Sequence, residues 1–303
     1  MPHKLYPSYL SLLESGELEQ RAAEGREILT QCTLCPRECG INRSTDERGE
    51  CQSGALAPVY NYMAHHGEEK PLRGTRGSGT IFFSGCNLHC LYCQNADISQ
   101  KNYGTEVEAA DLAEMMLDLQ HQDCHNINLV SPTHVVPQII EALAIAAKNG
   151  LRLPLVYNTG GYDKLETLQM LDGIVDIYMP DMKYSDEAVA WKYSGVKNYP
   201  AVNQAAVREM YRQVGDLLID DKGIARRGLL IRHLVLPNGL SGSPTIISFI
   251  ANEISLNTYL NIMDQYRPEY MAYEIPELNR RITREEFLQV KEFAEKFGLT
   301  RLD

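Results

Sequence analysis

From Thr80 onward the chain alternates two patterns. Short, mostly apolar runs are separated by longer stretches whose apolar residues recur every three or four positions. The short runs are TIFFS (80–84), NINLVS (126–131), PLVYN (154–158), IVDIYM (174–179), GLLIRHLVLP (228–237) and YLNIMDQY (259–266). Runs this short, without a consistent polar face, predict strands buried on both faces of a parallel sheet. Between the first two lies EAADLAEMMLDLQHQ (108–122), where Leu112, Met115, Met116 and Leu119 share one helical face. Further helices are predicted over 136–150, stopped by Gly150, over 164–173, across about 186–215, and over 243–254. DLLIDDKGIA (216–225) reads as a hairpin turned at Asp221-Lys222-Gly223. The last helix starts at Thr283, where Glu286 completes a capping box, and runs to about Gly298.

Six strands alternating with helices imply a parallel sheet covered by helices. The chain after Thr80 is too short for eight βα units, so an α/β fold with a partial (β/α)6 barrel is expected. Before Thr80 the pattern changes. Residues 8–30 read as helical with a break near Gly16, 32–51 hold cysteines, turn formers and charge, and 60–79 show little periodicity. Gly74, Gly77 and Gly79 predict a turn-rich connection in that last stretch. Two units are therefore expected: a small helical, cysteine-rich, metal-binding extension over 1–79, and the partial barrel over 80–303. No internal repeat appears beyond the βα alternation.

The 303 residues are enough for a substantial core, and 44% hydrophobic with 23% charged residues is ordinary globular composition. The net charge of -11 argues against a nucleic-acid backbone as partner. No apolar run spans a bilayer, and MPHKLYPSYLSLLESGELEQ lacks a signal-peptide core, so a cytoplasmic protein without membrane contact is expected. Cytosolic thiols stay reduced, which turns attention from disulfides to metals.

Seven of the eight cysteines form two groups. Cys86, Cys90 and Cys93, in FSGCNLHCLYCQN, have C-x3-C-x2-C spacing and directly follow the first barrel strand. In parallel α/β folds function gathers at the C-terminal ends of strands, so this loop lies at the mouth. Thiolates suit zinc or iron–sulfur clusters, and a structural zinc site closes with four ligands. Three thiols leave one iron of a four-iron cubane open to a substrate or cofactor. The competing reading is zinc with His89 as fourth ligand. Cys32, Cys35, Cys39 and Cys51 supply four thiols in a segment too poor in apolar residues for its own core. They predict a closed site for either zinc or a second iron–sulfur cluster. Cys124 stands alone and reads as a small buried apolar residue.

The three-cysteine loop, with Tyr92 before its third cysteine, resembles the radical S-adenosylmethionine (SAM) superfamily over most of residues 80–300. The resemblance implies a [4Fe-4S] cluster on Cys86, Cys90 and Cys93 whose open iron chelates SAM. One-electron reduction then yields a 5′-deoxyadenosyl radical. It also implies Tyr92 near the adenine and an electron donor such as flavodoxin or ferredoxin. Further matches resemble the glycyl-radical-enzyme activase branch. DMK, Asp181 to Lys183, is like that branch's D-x-K motif, and i, i+2 spacing puts both side chains on one strand face. YNTGGY places Asn158 and Thr159 where activases have a polar pair near the methionine end of the cofactor, and Gly160 and Gly161 permit close approach. Arg232 is a charge inside an apolar run and needs a partner, either a cofactor group or Asp181. The chain departs from the family at SPTH (131–134), where a Gly-Gly-Glu-type motif is common. Ser131 or Thr133 would supply the oxygen acceptors there. The four-cysteine segment is similar to one preceding the radical core in a pyruvate formate-lyase activating enzyme-like branch.

The expected activity is therefore reductive cleavage of SAM and hydrogen abstraction from a substrate, such as a glycine of a partner protein. The rivals are radical modification of a peptide or small metabolite, and a non-catalytic zinc- or cluster-binding protein.

Overall fold

The computed structural model describes residues 7–303, so the first six residues of the amino-terminal stretch lie outside it. Helices α1 (Tyr9–Ser15) and α2 (Glu17–Ile28) meet at Gly16, whose φ of 78° breaks the helix where the sequence predicts. After the cysteine segment come strand β1 (Ala57–His65), a short helix α3 (Lys70–Arg73) and β2 (Ser78–Phe83). Then follow α4 (Ala96–Ser99), β3 (Thr105–Val107), α5 (Ala109–His121), β4 (Ile127–Val130) and α6 (Val136–Lys148). β5 (Leu155–Thr159), α7 (Leu165–Met170), β6 (Ile177–Pro180), α8 (Glu187–Ser194) and α9 (Tyr199–Val214) come next. The chain ends with β7 (Leu218–Ile219), β8 (Ala225–Leu234), α10 (Ser243–Phe249), β9 (Tyr259–Met263) and α11 (Arg284–Lys296).

All six predicted strands are present. β2, β4, β5, β6, β8 and β9 pair in that order, each parallel to its neighbour. Together they form the parallel part of a mixed sheet, consistent with a partial barrel. β7 folds back antiparallel on β8 as the expected hairpin. The capping box at α11 forms, with Glu286 N–H donating to Thr283 Oγ1 at 3.1 Å and Thr283 N–H to Glu286 Oε2 at 2.8 Å.

The stretch 60–79 corrects the expectation of a turn-rich connection. Most of its first half is β1, which runs antiparallel to β2, pairing Tyr62 with Ile81 and His65 with Ser78. β3 adds a further antiparallel strand on the far side of β1. The sequence hides β1 for two physical reasons. Its solvated positions carry the apolar Tyr60 and Met63, 50% and 40% exposed, and its register slips between Val59 and Asn61. Two-fold alternation is lost in both ways.

The main core lies between the sheet and the outer helices, and takes in Leu112, Met116 and Leu119 of α5 and Ile139, Ile140 and Leu143 of α6. α2 joins this outer layer: a Cβ on Gly25 would lie 3.2 Å from Pro137 of α6. Cys124 is 3% exposed within this core, as a small apolar side chain would be. A second apolar cluster, with Leu72, Val156, Ile177, Met179 and Leu230, lines the opposite face of the strands. Leu72 of α3 plugs it, leaving the C-terminal strand ends as the open end.

Candidate active site

The loop after β2 is set by Gly85. Its φ is +80°, and a Cβ there would meet the Cys51 carbonyl at 2.3 Å, so only glycine brings the loop this close to the four-cysteine segment. Cys86, Cys90 and Cys93 then line a cavity of about 240 Å3 at the strand mouth. Tyr92, Ser131, Thr133, Asn158, Thr159, Asp181, Lys183 and Arg232 line the same cavity, so the residues read from scattered motifs meet in one place. Gly160 keeps the wall open beside the loop, since a Cβ there would lie 2.6 Å from Leu88.

The wall of the cavity carries a charge network. Lys183 Nζ donates to Asp181 Oδ2 at 2.5 Å, Arg232 Nε to Asp181 Oδ1 at 2.8 Å, and Arg232 Nη2 to Asn158 Oδ1 at 2.7 Å. Asp181 is thus the partner that Arg232 requires within its strand. Burial would push Asp181 up, but Arg232 and Lys183 outweigh it and hold the carboxyl below its ordinary value. Burial works against Lys183 and Arg232 too, and Asp181 more than restores both, so all three stay charged. The network is net cationic by one.

Thr133 and Thr159 line the cavity but commit their hydroxyls elsewhere. Both donate to the buried Asp163, each at 2.7 Å, and Tyr157 Oη donates to it at 3.0 Å. Asp163 was not singled out in the sequence. Its only local signal is an acidic residue after YNTGGY, and its partners come from two stretches of chain, β5 (Tyr157 and Thr159) and the turn after β4 (Thr133). Ser131 adopts φ 58°, the left-handed region, directly at the end of β4. That conformation turns the chain sharply at the cavity wall.

Each of the three thiols already has a hydrogen-bond partner. Leu88 N–H donates to Cys86 Sγ at 3.3 Å, Ser194 Oγ donates to Cys90 Sγ at 3.0 Å, and Cys93 Sγ and Ser99 Oγ lie 3.1 Å apart. Burial pushes the Cys86 thiol up to about 12 and raises Cys90 as well, so their thiolates require a positive partner. His89, the fourth ligand of the competing zinc reading, does not line this cavity. Its Nδ1 lies 2.9 Å from Gln100 Oε1 and its Nε2 lies 3.1 Å from Glu50 Oε2, so both ring nitrogens are occupied.

Cys32, Cys35, Cys39 and Cys51 line one small cavity together with Arg43 and His134. Arg43 is 1% exposed, and its guanidinium donates to the carbonyls of Gly54 and His134, with Cys32 Sγ 3.9 Å away. Burial pushes Cys35 up to about 12. Among the described residues, no three His, Cys, Asp or Glu side chains converge closely enough to hold a single metal ion.

An α/β partial barrel with a three-thiol loop at its mouth defines a class, and comparison with known proteins identifies it. A family model described as the radical SAM superfamily matches residues 80–219. The chain is 34% identical over 299 residues to uncharacterized protein MJ0674 of Methanocaldococcus jannaschii, which covers 96% of this chain and 82% of that one. Uncharacterized protein MJ0808 of the same organism is 25% identical over 268 residues, covering 81% of this chain and 73% of that one. A solved radical SAM methyltransferase from Sphaerobacter thermophilus is 12% identical with a TM-score of 0.48, covering 74% of this chain and 65% of that chain. Residues 80–219 thus form a radical SAM superfamily domain, which implies a [4Fe-4S] cluster and SAM. No helix among the described residues is long and apolar enough to cross a membrane.

The residues present fit both groups. Soft thiols in the cavity suit iron, and His89 of the same loop is not among the residues that line it. The same cavity offers Asp181 for an ammonium group and Lys183 and Arg232 for a carboxylate, the two charged ends of an amino acid.

Proposed function

We propose that Cys86, Cys90 and Cys93 hold the cluster and that Asp181, Lys183, Arg232, Asn158 and Tyr92 hold SAM against it. When bound, the two groups supply one-electron cleavage of the sulfonium to a 5′-deoxyadenosyl radical. The chain's own part is to bind, orient and shield. Asp181 and the two cations hold the methionine end, while Gly160 leaves room for close approach. Ser131 supplies an acceptor beside them, and Thr133 and Thr159 brace the wall through Asp163. The observation that carries this reading is the meeting of three thiols and the Asp181–Lys183–Arg232 network in one cavity.

The substrate we favour is a glycine of a partner protein, supported by the D-x-K pair and the Asn158–Thr159 pair of the activase-like pattern. An electron donor of the flavodoxin or ferredoxin kind would reduce the cluster. Incubating reduced protein and SAM anaerobically with a candidate glycyl-radical partner tests this. A carbon-centred doublet in the electron paramagnetic resonance (EPR) spectrum of the partner is expected. Formation of 5′-deoxyadenosine without any protein-borne signal would point instead to a peptide or small-metabolite substrate.

For the four-cysteine site we propose a closed metal site on Cys32, Cys35, Cys39 and Cys51, for zinc or a second iron–sulfur cluster, supported by their lining of one small cavity. The buried Arg43 cation supports an anionic metal–thiolate group beside it.

A further inference from the structure

We propose that Ser194 is a positioning residue, held in place by Tyr184 and Tyr92, that raises the reduction potential of the cluster at Cys86, Cys90 and Cys93. The proposal rests on the cluster reading of those cysteines. Its carrier is a continuous hydroxyl relay. Tyr92 Oη donates to Tyr184 Oη at 2.6 Å, Tyr184 Oη and Ser194 Oγ lie 2.7 Å apart, and Ser194 Oγ donates to Cys90 Sγ at 3.0 Å. Each hydroxyl has one proton, and a thiolate can only accept. The sulfur at the end therefore fixes the direction of all three bonds. Tyr92, Tyr184, Ser194 and Cys90 are all buried, so water does not compete for these donors.

Packing alone does not explain this geometry. A serine in the last turn of a helix ordinarily bonds the carbonyl one turn back. Ser194, the last residue of α8, instead reaches a sulfur 104 positions away. It is aimed by a backbone clamp, in which His89 N–H donates to the Ser194 carbonyl at 3.0 Å and Leu91 N–H to the Tyr193 carbonyl at 2.8 Å. The relay is also tied to the cofactor wall. Along Asp181-Met182-Lys183-Tyr184, Asp181 and Lys183 face the cavity while Tyr184 packs into the tyrosine-rich cluster behind it. A hydrogen bond to a ligand sulfur favours the more negative, reduced form of a cluster and so raises its potential. Of the three bonds to these sulfurs, only that from Ser194 comes from outside the cysteine loop and α4.

The test is an anaerobic redox titration of the reconstituted full-length protein, followed by EPR. Ser194→Ala is expected to shift the midpoint to more negative potential with iron and sulfide content unchanged. Tyr184→Phe removes the donor behind Ser194 but leaves the serine proton, and should give a smaller shift of the same sign. If Ser194→Ala fails to assemble a cluster, the Tyr184→Phe shift decides. An unchanged midpoint in fully loaded variants would overturn the relay alone. Wild-type protein that takes up no iron on these cysteines would overturn the cluster reading and the relay with it.

Discussion

Arg232 shows how much of the site rests on single residues. It touches Asp181 and Asn158, and Glu68 Oε1 lies 3.8 Å from its Nη1. Asp181→Asn keeps the shape of the network but removes the charge that anchors both cations. SAM binding should weaken by about 1–3 kcal/mol, the loss of a charge-assisted contact, while the reduced-cluster spectrum of the SAM-free protein stays the same. Calorimetric affinity checks this, and wild-type affinity would mean that the network does not face SAM. Glu68 gives a second prediction at this scale. Burial and the neighbouring Glu69 push it from 4.5 to about 8, against the pull of Arg232 and a hydrogen bond from Asn128. The folded state therefore keeps a proton that the unfolded chain releases near 4.5, and stability falls as pH rises from there toward 8. Glu68→Gln should remove that slope, as read from denaturation midpoints between pH 5 and about 8. A slope equal to that of the wild type would show that Glu68 is ionised throughout.

At the scale of elements, the sequence shows most clearly what is local. The C-x3-C-x2-C loop, the six apolar strands and the Thr283–Glu286 capping box each lie within a few residues, and all are present in the fold. Whatever depends on partners far along the chain was not legible. β1 was missed because its solvated positions carry the apolar Tyr60 and Met63, and Asp163 because Thr133, which ties it to the end of β4, lies 30 positions away. No spacing signal pairs Ser194 with Cys90 across 104 positions. The turn after β5 gives a further prediction. Gly161 has φ +77°, and a Cβ there would lie 2.2 Å from both Asn203 Nδ2 and the Asp181 carbonyl. Gly161→Ala should cost at least about 1–3 kcal/mol from the backbone alone, seen as a lower thermal midpoint. A midpoint equal to that of the wild type would mean that the turn can relax without cost. In the amino-terminal segment, Cys35→Ser should remove one metal site and speed hydrogen exchange over residues 30–55, because that stretch has little apolar core of its own. The SAM-sensitive signal of the Cys86 group should survive. Its loss would show that the two cysteine groups form one unit.

For the molecule as a whole, the barrel's closed end is packed around Leu72 and its open end carries the charges and thiols. This polarity is what makes a single cavity the seat of function, and it follows from the parallel strand order. The central claim is that this cavity cleaves SAM reductively. The most direct measurement is chromatography of an anaerobic mixture of reconstituted protein, dithionite and SAM. The wild-type protein should release 5′-deoxyadenosine and methionine, and Cys90→Ala should release neither while keeping its fold by circular dichroism. No 5′-deoxyadenosine from wild-type protein fully loaded with iron and sulfide, or an unchanged yield from Cys90→Ala, would contradict the account.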